Sequence, residues 1–368
     1  MANETELLER LAANPDDTEA LLVYADLLQH AGDPRGELCA VQHKLEAAPD
    51  DASLRAREAA LLEAHGKSWL GDFLGDAGVE VTWRRGFVDA VRISHDYFRD
   101  DEDRSIAETL GPLLDLPVAR LVRSITLGLW VNDEGQCEYG EAAEVLAARS
   151  LPSLRRLHLA DFKYFGEETE ISWTYLGDLS EVWKNVPNLE RLTLQGGAMT
   201  LGTIDLPRVR SVEVVTGGLD AASITSLATA RWPELEELTI YFGSDNYGAS
   251  GGVEELRPLL AGTGVPKLRS LGLVNAEFTD ALCAALPAAA VVKQLRRLDL
   301  SKGMMTIEGA RALAAGRAAF AHLEELDLGE NYLSDEAQAL VAGIAKQVSC
   351  EGQRGDENEE YRYPQVGE

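Results

Sequence analysis

The stretch LEELDLGENYLSDEAQALVAGIAK, residues 323–346, decides the fold. In its opening LEELDL, Leu326 and Leu328 point one way and Glu325 and Asp327 the other, as a short strand requires. From Asp335 the pattern changes to the Ala-rich run DEAQALVAGIAK, which reads as a helix. One strand and one helix of this size cannot bury an apolar face alone, so the unit needs neighbours of its own kind.

Those neighbours stand upstream. The same apolar-x-x-apolar-x-apolar run recurs as LRRLDL from Leu295, LRSLGL from Leu268, LEELTI from Leu235, LERLTL from Leu189 and LRRLHL from Leu154. Weaker copies are VRSVEV from Val209, VRSITL from Val122 and VDAVRI from Val88, which makes nine. The last two intervals are 27 and 28 residues, and most copies are followed by a helical stretch. Examples are EAAEVLAAR from Glu141, YLGDLSEVWK from Tyr175 and IEGARALAAG from Ile307. Stacked, the units predict an α/β solenoid with parallel strands on a concave face and helices on a convex one. The 20 residues between the starts at Leu189 and Val209 leave no room for a helix, so the convex layer should thin there.

These residues resemble the leucine-rich repeat family, LxxLxLxxNxL. The match is fullest in the last copy, where Leu326, Leu328, Asn331 and Leu333 fall on the family's positions. The spacing with intervening helices resembles the ribonuclease-inhibitor-like subclass. Elsewhere the family's Asn position holds Gly197, Gly217, Gly243, Ala276 or Gly303, so its side-chain hydrogen-bond ladder should be incomplete.

The first eighty residues read as helices: ETELLERLAA, then TEALLVYADLLQHAG after an Asp16 or Asp17 cap, with Gly32 as the stop. A third helix follows GDPRGEL, with Pro34 in its first turn, and a fourth is DASLRAREAALLEAHGKSW. LVYADLL, GDPRGEL, Gln42 and the following WRRGFVDAVRI resemble the helical repeat-companion domain that precedes repeats in planctomycete and myxobacterial proteins. Leu27 stands where that family usually has Trp. The resemblance implies an all-α cap over the first strand, since terminal repeats must be shielded from water. The expected organisation is a helical domain over 1–79, the solenoid over 80–349 and a flexible polar tail over 350–368. A partner motif around Tyr361, Tyr363 and Pro364 is the alternative to a merely solvated tail.

Composition bounds the function. The chain has 368 residues, 45% apolar and 26% charged, the balance of a protein with a sizeable core. Acidic residues outnumber basic ones by 62 to 34, a formal charge of −28. That argues against a generic phosphate-backbone binder and an anionic membrane surface. No apolar stretch approaches the ~20 residues of a membrane-spanning helix. MANETELLER lacks an export signal, and Cys39, Cys137, Cys283 and Cys350 are too scattered for a disulfide or zinc framework, so a cytoplasmic setting is expected.

Enzyme signatures are sparse. GASGG, residues 248–252, formally matches G-x-S-x-G, but a flexible loop explains its glycines better than a nucleophile at Ser250 with His322 as base. No two histidines stand at metal-ligand spacing, and no cofactor is expected. Of the cysteines, only Cys39, after Arg35, has a basic neighbour that could activate it.

Surface remains. The outward strand positions tile the concave face as columns, and their N-terminal half is locally basic through Arg92, Arg156, His158 and Arg191. The C-terminal half is acidic, and Val215, Tyr241 and Val274 form an apolar run with Phe242 at the edge. The candidate partner-binding residues are therefore Arg156, His158, Arg191, Val215, Glu237, Tyr241, Phe242, Val274 and Arg297. A weaker rim candidate comprises Tyr164, Phe165 and Trp173. These features favour a non-enzymatic module that binds a protein partner, with no nucleic acid, membrane or small-molecule substrate. The alternative is a regulatory subunit that controls an associated effector enzyme such as a protease or GTPase.

Overall fold

The computed structural model describes residues 4–94, 104–131, 136–163, 169–355 and 362–367. Four helices lead: α1 (Glu4–Ala13), α2 (Thr18–His30), α3 (Arg35–Ala47) and α4 (Ala52–Leu70). Their ends follow local chemistry. The Asp17 carboxylate accepts from Ala20 N at 2.9 Å to open α2, and Gly32, at φ 75°, follows its end. Pro34 immediately precedes α3, and Asp51 caps α4 through Ser53 N and Leu54 N. Leu7, Leu11, Leu21, Tyr24 and Leu28 form an apolar cluster of their own with Cys39 and Phe87. Leu38, Val41, Leu45, Leu61 and Trp69 instead join the core that runs under the sheet.

The helices meet the sheet at one hairpin. Val79–Arg84 pairs antiparallel with Phe87–Ile93, and the two-residue turn Arg85-Gly86 has φ of 52° and 79°, the doubly left-handed geometry that suits strand twist. A Cβ on Gly86 would lie 2.3 Å from Cys39 Sγ, so only glycine fits. Gly86 N donates to Gln42 Oε1 at 2.7 Å, and the buried Arg85 forks onto both Glu46 oxygens at 2.8 and 2.6 Å. Gln42 and the WRRGF junction, far apart in sequence, are thus one packed joint.

The principal sheet has eleven strands in sequence order, all parallel after the first pair. Its register stacks like on like: Leu157, Leu192, Val212, Leu238, Leu271, Leu298 and Leu326 are successive partners, all buried. Every one of the nine repeats contributes a strand, and Val79–Arg84 and Gln347–Ser349 add one at each edge. Buried helix residues such as Leu282, Leu313 and Ala337 share this core, so the helices cover one face of the sheet. The opposite face is the open one.

Two local expectations change, and one holds. YLGDLSEVWK forms no α-helix; it holds the two-residue strand Gly177–Asp178 and a 3-10 turn at Trp183–Asn185. Gly177, at φ 74°, breaks the helix and packs so closely on Gly140 that a Cβ would lie 2.7 Å from its Cα. The 20-residue interval holds no helix, as its length implies; after the strand Arg191–Gln195 it carries Met199–Thr200, which pairs with Gly177–Asp178. Ala160, at φ 66°, sits in a bulge that places Asp161, rather than Ala160, opposite Gly128.

Asn331 is fully buried and carries the side-chain ladder for the last repeat: its Nδ2 donates to Leu300 O at 2.9 Å, and its Oδ1 accepts from Met305 N at 2.9 Å. One repeat earlier the position is Gly303, and Thr279 Oγ1 fills the space, donating to Ala276 O at 2.6 Å.

Candidate functional site

The open face has two chemically distinct ends. At the first, Arg156 and Arg191 are register partners on adjacent strands, so their side chains stand side by side. Each strand begins by hanging its first amides on the preceding repeat: Arg155 N and Arg156 N donate to Arg123 O, and Glu190 N and Arg191 N to Arg155 O. That repetition stacks basic residues from separate repeats at one level. With Arg208 and the Asn14–Asp16 loop between α1 and α2 they line a cleft of about 520 Å³.

Five arginines face two carboxylates there. Asp16 is already held by Arg84 at 2.7 Å, and Glu190 stands 3.6 Å from Arg155. Arg123 is paired with Asp89. Arg155 reaches Ala12 O and Ala13 O at 3.1 and 3.2 Å, and burial, with Arg208 and Arg123 nearby, holds its pKa below the ordinary value. Arg156, Arg191 and Arg208 are exposed, and among the described residues no carboxylate pairs with them.

The basic half is otherwise narrower than the residue types imply. Arg92 is tied to Asp161 at 3.0 Å. Burial pushes the His158 pKa down, against a raising effect of Asp161 and with a lowering one from Arg92, so the ring is neutral at pH 7. His158 is therefore corrected from a cationic contact to a neutral ring beside the cleft. Glu237 accepts from Ser211 Oγ at 3.5 Å, and Arg297 lies 3.6 Å from Glu325, so these exposed charges are partnered across strands.

The apolar end differs from expectation. Phe242 does not lie at an exposed edge: it is 1% exposed and packs edge-on against Phe278 at 5.0 Å. A strand turns alternate residues to opposite faces, and Phe242 follows the buried phase of Leu238 and Ile240. Val274 is 1% and Val215 5% exposed, while Tyr241 is half-buried. What covers this end is the chain itself. Val366 packs on Val215, Ile171 and Tyr241, so residues 362–367 are seated where a loose tail was expected.

On the rim, Trp173 is 47% exposed, whereas Tyr164 and Phe165 lie outside the described residues. Sequence reasoning missed Asn275, Arg155 and Arg208. Nothing local marks Asn275, but Arg208 was legible as a basic residue beside a repeat start.

No hydrolytic or thiol chemistry is assembled around the residues weighed for it. Ser250 Oγ accepts from Ala221 N, and His322 Nε2 lies 2.9 Å from Val292 O in another repeat. Cys39 donates to Arg85 O at 2.9 Å, and burial pushes its thiol up to about 12, which overturns the expectation that Arg35 could activate it. Among the described residues no group of three or more His, Cys, Asp or Glu could hold a metal ion, and no helix is long and apolar enough to cross a membrane.

No protein-family model matches the sequence, and neither does any curated protein. Among solved structures, a Bacteroides fragilis protein determined by a structural genomics consortium matches with a TM-score of 0.61 at 25% identity, over 85% of this chain and 86% of that one. The shared architecture is an α/β solenoid with a mostly parallel sheet. Weaker likenesses are to TLR13 in complex with ssRNA13, at TM-score 0.37 and 15% identity over 73% of this chain and 34% of that one. An internalin of Listeria monocytogenes matches at TM-score 0.32 and 11% identity, over 78% of this chain and 94% of that one.

Proposed function

We propose that this solenoid is a non-enzymatic protein-interaction module and that its open end receives an acidic segment of a protein partner. One observation carries the reading: Arg156, Arg191 and Arg208 stand exposed without a carboxylate partner in a cleft of a chain whose formal charge is −28. Sixty-two acidic residues are available to neutralise them, yet the cleft keeps a basic surplus. Arginine forks suit carboxylates, and a locally basic cleft in an acidic surround steers a ligand to one place. The same overall charge disfavours long polyphosphate chains, which would cross the acidic surface beyond the cleft. In this reading residues 1–79 cap the first repeat and supply one wall of the cleft through Asn14–Asp16.

The test is fluorescence anisotropy with a fluorescein-labelled hepta-glutamate peptide and, in parallel, a single-stranded RNA oligonucleotide. Wild-type protein should bind the peptide in a salt-sensitive manner. Arg156→Glu/Arg191→Glu/Arg208→Glu should weaken it at least about tenfold. The control Arg311→Glu/Arg317→Glu, away from the cleft, should bind as wild type. Equal loss in both variants, or tighter binding of the RNA, would overturn the proposal.

A further inference from the structure

Residues 362–367 are held as a peptide ligand is held. The Asn275 side chain, fully buried, grips one residue by both backbone groups: Val366 N donates to its Oδ1 at 2.8 Å, and its Nδ2 donates to Val366 O at 2.7 Å. Asn275 is the penultimate residue of the strand Ser270–Ala276 and takes a left-handed conformation, φ 59°, which asparagine tolerates better than most residues. Gln365 N donates to Lys302 O at 2.9 Å, so a second repeat reads the same backbone.

Side chains are selected as well. Val366, 1% exposed, fills a pocket formed by Ile171, Val215 and Tyr241. At the next position a Cβ on Gly367 would lie 2.6 Å from Tyr247 Cε2, so glycine fits there without moving the Tyr247 ring and a larger residue must displace it. On the other wall a Cβ on Gly217 would lie 2.3 Å from Gly367 O, so the sheet is open to backbone alone at that point. Upstream, Tyr332 Oη accepts from Tyr363 N at 3.1 Å, and Arg354 lies 4.3 Å from the Tyr332 ring centroid. Main-chain hydrogen bonds with a pocket for one side chain are the recurring way to bind an extended peptide.

We propose that this groove is a peptide-binding site for an extended segment with an aliphatic residue followed by glycine, and that residues 362–367 are its resident occupant. A partner peptide of that chemistry enters when the resident segment leaves. A tethered segment acts at an effective concentration of order millimolar, so it weakens a competing peptide in proportion. The proposal concerns a different site from the arginine cleft, and either can fail without the other.

The test titrates a fluorescein-labelled peptide of sequence RYPQVG into the full chain and into Val366→Asp, read by anisotropy. Val366→Asp should bind the peptide at least tenfold more tightly than wild type, and adding Asn275→Ala should abolish that binding. A peptide with Asp in place of its valine should not bind. Arg156→Glu/Arg191→Glu/Arg208→Glu added to Val366→Asp should leave peptide binding unchanged. A folded Val366→Asp chain that does not bind the peptide, or binds it no better than wild type, overturns the proposal. Should Val366→Asp fail to fold, Val366→Ala takes its place under the same criterion. A wild-type dimer in sedimentation that Val366→Asp dissolves would assign the groove to a second copy instead, and would also overturn it.

Discussion

The two ends of the open face share one register and one backbone geometry, yet one is satisfied from within and the other is not. At the Val215–Tyr241 end, an aliphatic side chain and two backbone hydrogen bonds from residues 362–367 complete the surface. At the Arg156–Arg191 end, three guanidinium groups stay in water. The difference teaches where to look for a partner. Apolar surface is costly to leave exposed and attracts cover from the chain itself, whereas exposed arginine is comfortable in water and can wait for a carboxylate.

The comparison breaks most severely if its common scaffold goes. Leu271→Ala removes a fully buried member of the ladder and should cost about 2–5 kcal/mol by urea denaturation, with both ends losing their ligands together. If the two ends responded separately, the shared-scaffold picture would fail.

Next in size is the satisfied end. Val366→Ala removes two buried methyl groups and should cost roughly 1.5 kcal/mol of stability. Arg208→Ala at the open end should change stability by less than about 0.5 kcal/mol, since it breaks no ion pair among the described residues. Equal costs would erase the distinction between the two ends.

The smallest effects are in pH dependence, and their signs oppose. Burial lowers the His158 pKa, so the unfolded state takes up the proton first. Its contribution is full above the ordinary value of 6.5 and is lost as pH falls below it. His158→Gln should flatten that acid limb. Burial, aided by the nearby Asp327, raises the Asp299 pKa even though Ser301 supports the carboxylate. The folded state therefore holds this proton more tightly, and stability falls as pH rises above the ordinary 3.8 through the raised value. Asp299→Asn should remove that slope and raise the melting temperature at pH 7. Thermal melts across pH would check both, and slopes of the same sign would refute the reading.

Much of the fold was legible because its signal is local. Alternation marks a strand, Asp17 and Gly32 mark a helix's start and stop, and nine in-phase copies impose one way of stacking. The errors have different causes. YLGDLSEVWK has helical spacing, but Gly177 must touch Gly140, a contact with a residue 37 positions away. Phe242 was assigned to the edge by composition, and strand phase places it in the core. At the candidate site, Arg156 and Arg191 were readable from the strand columns and Arg208 from its place beside a repeat start, while Arg155 joins them because each strand hangs on the previous one.

By itself, then, the sequence determined the repeat, the parallel ladder and the outward columns, since each rests on periodicity between near neighbours. The tertiary structure alone decided which outward residues remain outward. Asn275 and Val366 lie 91 positions apart, and no pattern within either neighbourhood encodes their hydrogen bonds. Long-range pairing depends on the summed geometry of every intervening repeat, including its bulges and missing helices, and local periodicity does not record that sum.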